Sequence, residues 1–266
     1  MLPLFSKIIR ALGGTGQTEA ANAAPDRFEL LVPAYFYPAG QGLRYWNELI
    51  QAASRAPIIA IINPSSGPGV QIDPAYRAIV NRARAAGVRV LAYVATGFGS
   101  RPAAEVSADL IRYSDYYPLD GVFVDEMSND GSAASLAFYS LIYAQMKALS
   151  PDHQIIGNPG VNPHESYLSE HCADVLIAFE QNQEAYERYQ APRWMTRGQP
   201  QSIGHLVYRV PSLSAARRLL DWSEQLGAGL VYFTDDDLDN PWDTLPTYWQ
   251  GLVSEIQKRN LEARNR

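Results

Sequence analysis

The sequence has a single cysteine, Cys172, so no disulfide can form within the chain and redox chemistry gives no reading of its compartment. It has no run of 18 apolar residues, which excludes a membrane-spanning helix by sequence. It has no basic excess either: 22 Lys and Arg stand against 28 Asp and Glu, a net charge of −6. A nucleic-acid surface needs clustered positive charge, so the balance argues against that class of partner. The four histidines (His153, His164, His171 and His205) form no H-x-H or H-E-x-x-H pattern, and each reads as a surface or hydrogen-bonded residue rather than a zinc ligand. No G-x-S-x-G occurs, and Cys172, although beside His171, reads as a buried, inert thiol. The 97–102 segment lacks the third glycine of a dinucleotide loop, no Gly-Lys-Ser/Thr triplet occurs, and the aspartate run 235–239 lacks EF-hand spacing. What is plentiful is tyrosine, 16 residues against 8 Phe and 5 Trp. Phenols suit half-wet surfaces, including the faces of sugars.

From Phe28 onward, short β-branched runs alternate with longer segments of helical period, the pattern of strand-helix units on a parallel sheet. Eight runs are expected as strands: 29–35, 58–62, 89–94, 121–124, 154–156, 174–179, 203–208 and 228–233, starting on average about 28 residues apart. Helices are expected at 45–53, 74–86, 104–113, 132–149 and 214–226, with Asp73 and Pro74 as a cap and first residue and Gly87 and Gly227 as stops. The connection between the fifth and sixth strands is the shortest, so its helix is expected to be brief. At 266 residues the chain suits one α/β domain, a (β/α)₈ TIM barrel, with an open doubly wound sheet as the competitor. Residues 1–27 read as a flexible or processed lead-in and 28–266 as the barrel.

In a barrel, chemistry collects where strands run out at their C-terminal ends. Those positions are polar here: Tyr35 and Tyr37 after strand 1, Asn63 after strand 2, Tyr93 near the end of strand 3, Asp125 and Glu126 after strand 4. Asn158 follows strand 5, Glu180 strand 6, Tyr208 ends strand 7 and Asp235 follows strand 8. The three carboxylates are the sharpest feature, because a buried acid is costly to ionise unless partners or function sustain it. Cleaving a glycosidic bond takes two carboxyls, one protonating the leaving oxygen and one serving as nucleophile or base. Successive strand residues point to opposite sides, so only one of Asp125 and Glu126 can aim into the mouth, the other orienting or tuning it. The competing reading is an ion-pair network with Arg101 or Arg209. Trp194, Trp242 and Trp249 are further candidates for sugar stacking, with core packing an equal reading for Trp249.

Four ordered segments, Val32-Pro33-Ala34-Tyr35-Phe36-Tyr37-Pro38, Asn63-Pro64-Ser65-Ser66-Gly67-Pro68-Gly69, the stretch from Tyr93 to Arg101, and Gly121-Val122-Phe123-Val124-Asp125-Glu126, resemble the spherulin-4 family, with similarity from about Leu30 to Trp249. The resemblance implies a (β/α)₈ glycoside hydrolase cutting α-1,4-linked galactosamine or N-acetylgalactosamine polymers, such as the galactosaminogalactan of biofilms. It places the family's acids at Asp125, Glu126 and Glu180, and it suggests an extracellular or cell-surface location, with the cytoplasm as alternative since the N-terminus shows no clear signal peptide. The first strand departs from the aliphatic version common in the family.

Together these readings give an endo-acting glycosidase of a polysaccharide substrate that needs no cofactor or metal. Asp125 is taken as nucleophile, Glu180 as general acid/base and Glu126 as a supporting carboxylate, with the roles of Asp125 and Glu180 open to exchange. Tyr35, Tyr37, Asn63, Tyr93, Asn158, Tyr208 and Asp235 are expected to line the subsites. A substrate-assisted mechanism of the chitinase-like kind and a non-catalytic carbohydrate-binding or structural surface protein are the alternatives. Oligomeric state is not read from the sequence.

Overall fold

A computed structural model describes residues 27–265; the lead-in expected at 1–27 lies outside them except for its last residue. Eight parallel strands close on themselves in sequence order: β1 (Glu29–Pro33), β2 (Ile58–Ile62), β3 (Arg89–Ala95), β4 (Gly121–Asp125), β5 (Gln154–Gly157), β6 (Val175–Asn182), β7 (Ile203–Tyr208) and β8 (Leu230–Phe233). Closure is made by β1 and β8, where Glu29 pairs with Leu230 and Leu30 with Val231. This is the expected TIM barrel, and the open-sheet competitor is excluded.

The outer layer comprises α1 (Gly40–Ala52), α2 (Pro74–Ala85), α3 (Ala103–Tyr116), α4 (Ala133–Leu149), α5 (Ser166–Ser169), α6 (Gln183–Tyr186), α7 (Arg193–Thr196), α8 (Leu213–Gln225) and α9 (Trp249–Arg264). Local chemistry sets their ends. The Asp73 carboxylate accepts from the N–H groups of Ala75 at 2.8 Å and Tyr76 at 3.3 Å, with Pro74 as first helical residue. Ser132 and Ser212 cap α4 and α8 in the same way, and Gly87 and Gly227 adopt φ of +90° and +82° just past α2 and α8. The helix between β5 and β6 is one turn, as the short connection requires.

Several boundaries differ from expectation: α3 runs to Tyr116 rather than residue 113, β6 runs to Asn182 rather than 179, and β8 starts at Leu230 rather than 228. Two further differences have a visible cause. α1 starts at Gly40 rather than residue 45, because the glycines there are helical: a Cβ on Gly42 would stand 2.0 Å from the Tyr37 carbonyl oxygen, so only glycine lets the chain turn this closely into the helix. β1 stops at Pro33 rather than residue 35, since the N–H of Tyr35 leaves the ladder and donates to the carbonyl of Trp242 at 3.2 Å.

Strand alternation divides the interior. Val122 and Val124 face outward into a cluster with Val106 and Leu110 of α3 and Tyr139, Ile142 and Met146 of α4, whereas Phe123 belongs to the main core. Asp125 shares the phase of Phe123 and so points into the barrel at its C-terminal rim. The register pairs it with Ala95 of β3.

Candidate active site

Asp125 ends β4, Asn158 is the first residue after β5, and Glu180 lies within β6, which runs past it to Asn182. β6 shifts register between Ile177 and Phe179, so Glu180 follows an irregularity that sets which way its side chain turns. Its N–H donates to the Gly160 carbonyl at 3.0 Å, tying the strand to the loop that carries Asn158.

Asn158 joins the two acids. Its Nδ2 donates to Asp125 Oδ1 at 2.7 Å and to Glu180 Oε2 at 2.6 Å, so these oxygens are no more than about 5.3 Å apart, the sum of the two distances. Both amide hydrogens are thus committed, and Oδ1 of the same side chain is buried with no hydrogen-bond partner, although the residue is only 5% exposed. A buried acceptor left open in this way is costly unless a ligand or water completes it.

The two carboxyls differ in environment. Burial, and then the nearby Asp125 charge, push the Glu180 carboxyl up to about 7, against the opposing hydrogen bonds from Asn158 and the Trp242 indole. Burial also raises Asp125, but its own set of donors (the Glu126 N–H, the Tyr93 hydroxyl and Asn158) favours the ionised form. Of the two, Glu180 is the carboxyl pushed up to about 7, with the Asp125 charge adding to its rise. Tyr93 and Tyr35 complete the floor, their rings edge to face with centroids 5.9 Å apart, and burial with the two acids' charges pushes both phenols above their ordinary range, so they remain hydroxyl donors.

The other sequence candidates are placed as follows. Glu126 leaves the strand with φ +50°, is exposed, and accepts from the Gly97 N–H at 3.1 Å, as one member of an adjacent pair must when the other fills the mouth. Tyr208 is half-buried and packs edge to face on Trp242, centroids 6.3 Å apart. Tyr37, 52% exposed, leans on Tyr76 and Asp73. Asn63 accepts from the Gly67 N–H at 2.9 Å within its own loop, and Asp235 accepts from the N–H and hydroxyl of Thr247. These three hold the loops of the mouth. The ion-pair alternative is not what forms: Arg101 binds Asp109 and the Ala95 carbonyl, and Arg209 binds Asp237.

Trp242 is the residue whose role the sequence understates. It is a candidate there for stacking on sugars, yet in the structure its indole lies close enough to Glu180 to pull that carboxyl's titration down against burial, and its carbonyl accepts from the Tyr35 N–H at 3.2 Å. Trp249 is core, 2% exposed, and Cys172 is buried as expected. His205 is buried on β7 with Nδ1 at 2.7 Å from the Tyr186 hydroxyl, and burial pushes it down to about 3, so it is neutral. Among the described residues, no group of three or more His, Cys, Asp and Glu is placed to hold a metal, and no helix is long and apolar enough to cross a membrane.

Residues 29–256 match the sequence profile of spherulation-specific family 4. The chain belongs to that family. It is 32% identical over 243 residues to spherulin-4 of Physarum polycephalum, covering 87% of this chain and 71% of the relative. Among solved structures it is similar to Sph3 of Aspergillus clavatus, determined in complex with GalNAc, with a TM-score of 0.76, 26% identity, and coverage of 87% of this chain and 98% of that one. The catalytic domain of a chitinase from Pyrococcus furiosus shares the fold at a TM-score of 0.54 and 15% identity, over 92% of this chain and 99% of that one. This member of the spherulation-specific family thus has a barrel fold similar to that of the GalNAc-bound Sph3 and of the chitinase domain.

Proposed function

We propose that the protein is an endo-acting glycoside hydrolase that cleaves α-1,4-linked galactosamine or N-acetylgalactosamine polysaccharide by double displacement. The observation that carries this reading is the acid pair bridged by Asn158, with carboxylate oxygens within about 5.3 Å, Glu180 pushed up to about 7 by burial and the Asp125 charge, and Asp125 surrounded by donors that favour its ionised form. Retaining glycosidases place their carboxyls about 5–5.5 Å apart, inverting ones about 6.5–9.5 Å, because the latter must seat a water between acid and sugar. The GalNAc bound to Sph3 supports the substrate class.

In this reading Glu180 gives its proton to the glycosidic oxygen while Asp125 attacks the anomeric carbon, forming an ester and releasing the chain beyond the cut. Glu180, now ionised, takes a proton from water, whose oxygen displaces Asp125 and restores both carboxyls. Asn158 steadies Asp125 as its charge is lost and regained. The short separation favours catalysis over a purely sugar-binding role, for which a wider spacing would serve equally well. The direct test is release of reducing ends from α-1,4-linked N-acetylgalactosamine polymer by wild type and by Glu180→Gln. Wild type should release them and the variant should fall by about a thousandfold or more, whereas equal release by both would remove Glu180 from the mechanism. Cleavage of fully deacetylated polymer at a comparable rate would exclude assistance by the substrate's acetamide.

A further inference from the structure

The mouth of the barrel displays apolar side chains that folding alone does not require. Tyr37, Val70, Phe98, Val161 and Leu238 lie on the loops after β1, β2, β3, β5 and β8, and each is 45% or more exposed. Phe98 differs from the rest in how it is held. It has φ +55°, a left-handed conformation that a bulky residue avoids, and Glu126 beside it has φ +50°. The two strained residues grip one another: the Phe98 N–H donates to the Glu126 carbonyl at 2.6 Å, and the Gly97 N–H donates to Glu126 Oε2 at 3.1 Å. The Thr96 hydroxyl reaches the carbonyls of Asp125 at 3.0 Å and Glu126 at 2.7 Å, and lies 3.2 Å from the Tyr139 hydroxyl. The turn after β3 is therefore bolted to the residue that follows the nucleophile, and what it presents on that fixed base is a phenyl ring 67% exposed to solvent. A strained backbone, a rigid mount and an apolar ring in water are three costs met at one place, next to a cleft built for sugar.

We propose that Phe98 is a stacking platform for the polysaccharide unit adjoining the scissile bond, and that Glu126 is the positioning residue that sets it. This rests on the substrate class proposed above. A galacto-configured ring suits such a platform, since its axial C4 oxygen leaves the opposite face a continuous patch of C–H groups that an aromatic face can cover. Glu126 thereby acquires a role that needs no proton transfer: its carbonyl and carboxylate hold the turn, while its neighbour Asp125 does the chemistry.

The test uses the full chain in the Glu180→Gln background, titrated with an α-1,4-linked N-acetylgalactosamine hexasaccharide. Glu180→Gln should bind it, adding Phe98→Ala should weaken binding about tenfold, and adding Phe98→Trp should restore binding and give indole fluorescence that shifts on saturation. Adding Glu126→Ala should weaken binding by a similar factor and abolish the benefit of Phe98→Trp. Because Phe98 is exposed, Phe98→Ala should unfold at the same temperature as its parent, which separates lost stacking from lost folding. Equal affinity with and without Phe98→Ala, or emission from the Phe98→Trp variant that is indifferent to the sugar, would overturn the platform while leaving the proposed reaction standing. Absence of any hexasaccharide binding by Glu180→Gln itself would remove the substrate reading and the platform with it.

Discussion

At the scale of single residues, the site turns on how Asn158 and Trp242 share out one proton. Glu180 sits at about 7 in the fold against an ordinary 4.5, so between those values the unfolded chain has already lost a proton that the folded chain keeps. Stability from this group is fully present below pH 4.5 and is lost as pH rises to and beyond 7. Glu180→Gln never acquires the charge. It should therefore be more stable than wild type at pH 8 by about 2–3 kcal/mol, with the difference closing below about pH 4.5, as urea unfolding at the two pH values would show. Equal stabilities at pH 8 would mean that the carboxyl is not held in the desolvated setting described. Asn158 donates to both acids and so favours their ionised forms. Asn158→Ala should cut kcat by about a hundredfold and move the alkaline limb of the pH profile above its wild-type position near 7, as steady-state rates across pH would register. An alkaline limb that stays in place would detach Asn158 from the acid's titration. Asp125, Asn158 and Glu180 were legible as polar strand ends. Their division of labour was not, because a spacing of 33 residues from Asp125 to Asn158 and 22 from Asn158 to Glu180 says nothing of which amide hydrogen meets which oxygen. Nor does sequence reveal that Trp242 turns its indole to an acid rather than its face to a sugar.

At the scale of elements, the eight strands were readable because continuous β-branched runs recur between capped helices, and the caps at Asp73, Ser132 and Ser212 form as their residue types dictate. What escaped were features set by close approach between segments. The start of α1 depends on the carbonyl of Tyr37 lying under Gly42, and the aim of Glu180 depends on a register shift that β6 takes against β7. Neither has a local sequence signature. Phe179, just past that shift, packs among Tyr186, Tyr189 and His205, with centroids 4.8, 5.0 and 6.3 Å away, which accounts for where some of the tyrosines went. β4 shows the same dependence at its first residue. Gly121 has φ +152°, and a Cβ there would stand 1.9 Å from the Gln154 carbonyl oxygen of β5. Gly121→Ala should force β4 away from β5, costing at least about 3 kcal/mol and roughly 6–12 °C in melting temperature. Because Asp125 ends the same strand, activity should fall more steeply than stability at a temperature where the variant remains folded. Calorimetry paired with reducing-end assays would show this, and a variant with wild-type melting would contradict the close packing.

At the scale of the molecule, the barrel is closed by a contact between the entry to β1 and the helix after β8 as well as by its sheet. Asn260 of α9 accepts from the Phe28 N–H at 2.9 Å and donates to the Phe28 carbonyl at 2.8 Å, so the last helix pins the entry to β1 across 232 positions. β1 is thereby held at its entry as well as by its ladders to β2 and β8, in the barrel whose strand ends bring together Tyr35, Asp125, Asn158 and Glu180. The proposed reaction makes a stereochemical commitment. With Asp125 as the proposed nucleophile and the two acids' oxygens within about 5.3 Å, two successive displacements would return the anomeric carbon to its starting configuration. Proton NMR of the earliest products released from an α-1,4-linked N-acetylgalactosamine oligosaccharide reads that configuration before mutarotation erases it. The α anomer appearing first is the result predicted here; the β anomer appearing first would contradict the assignment of Asp125 as nucleophile and of the Asp125–Glu180 pair as a double-displacement site.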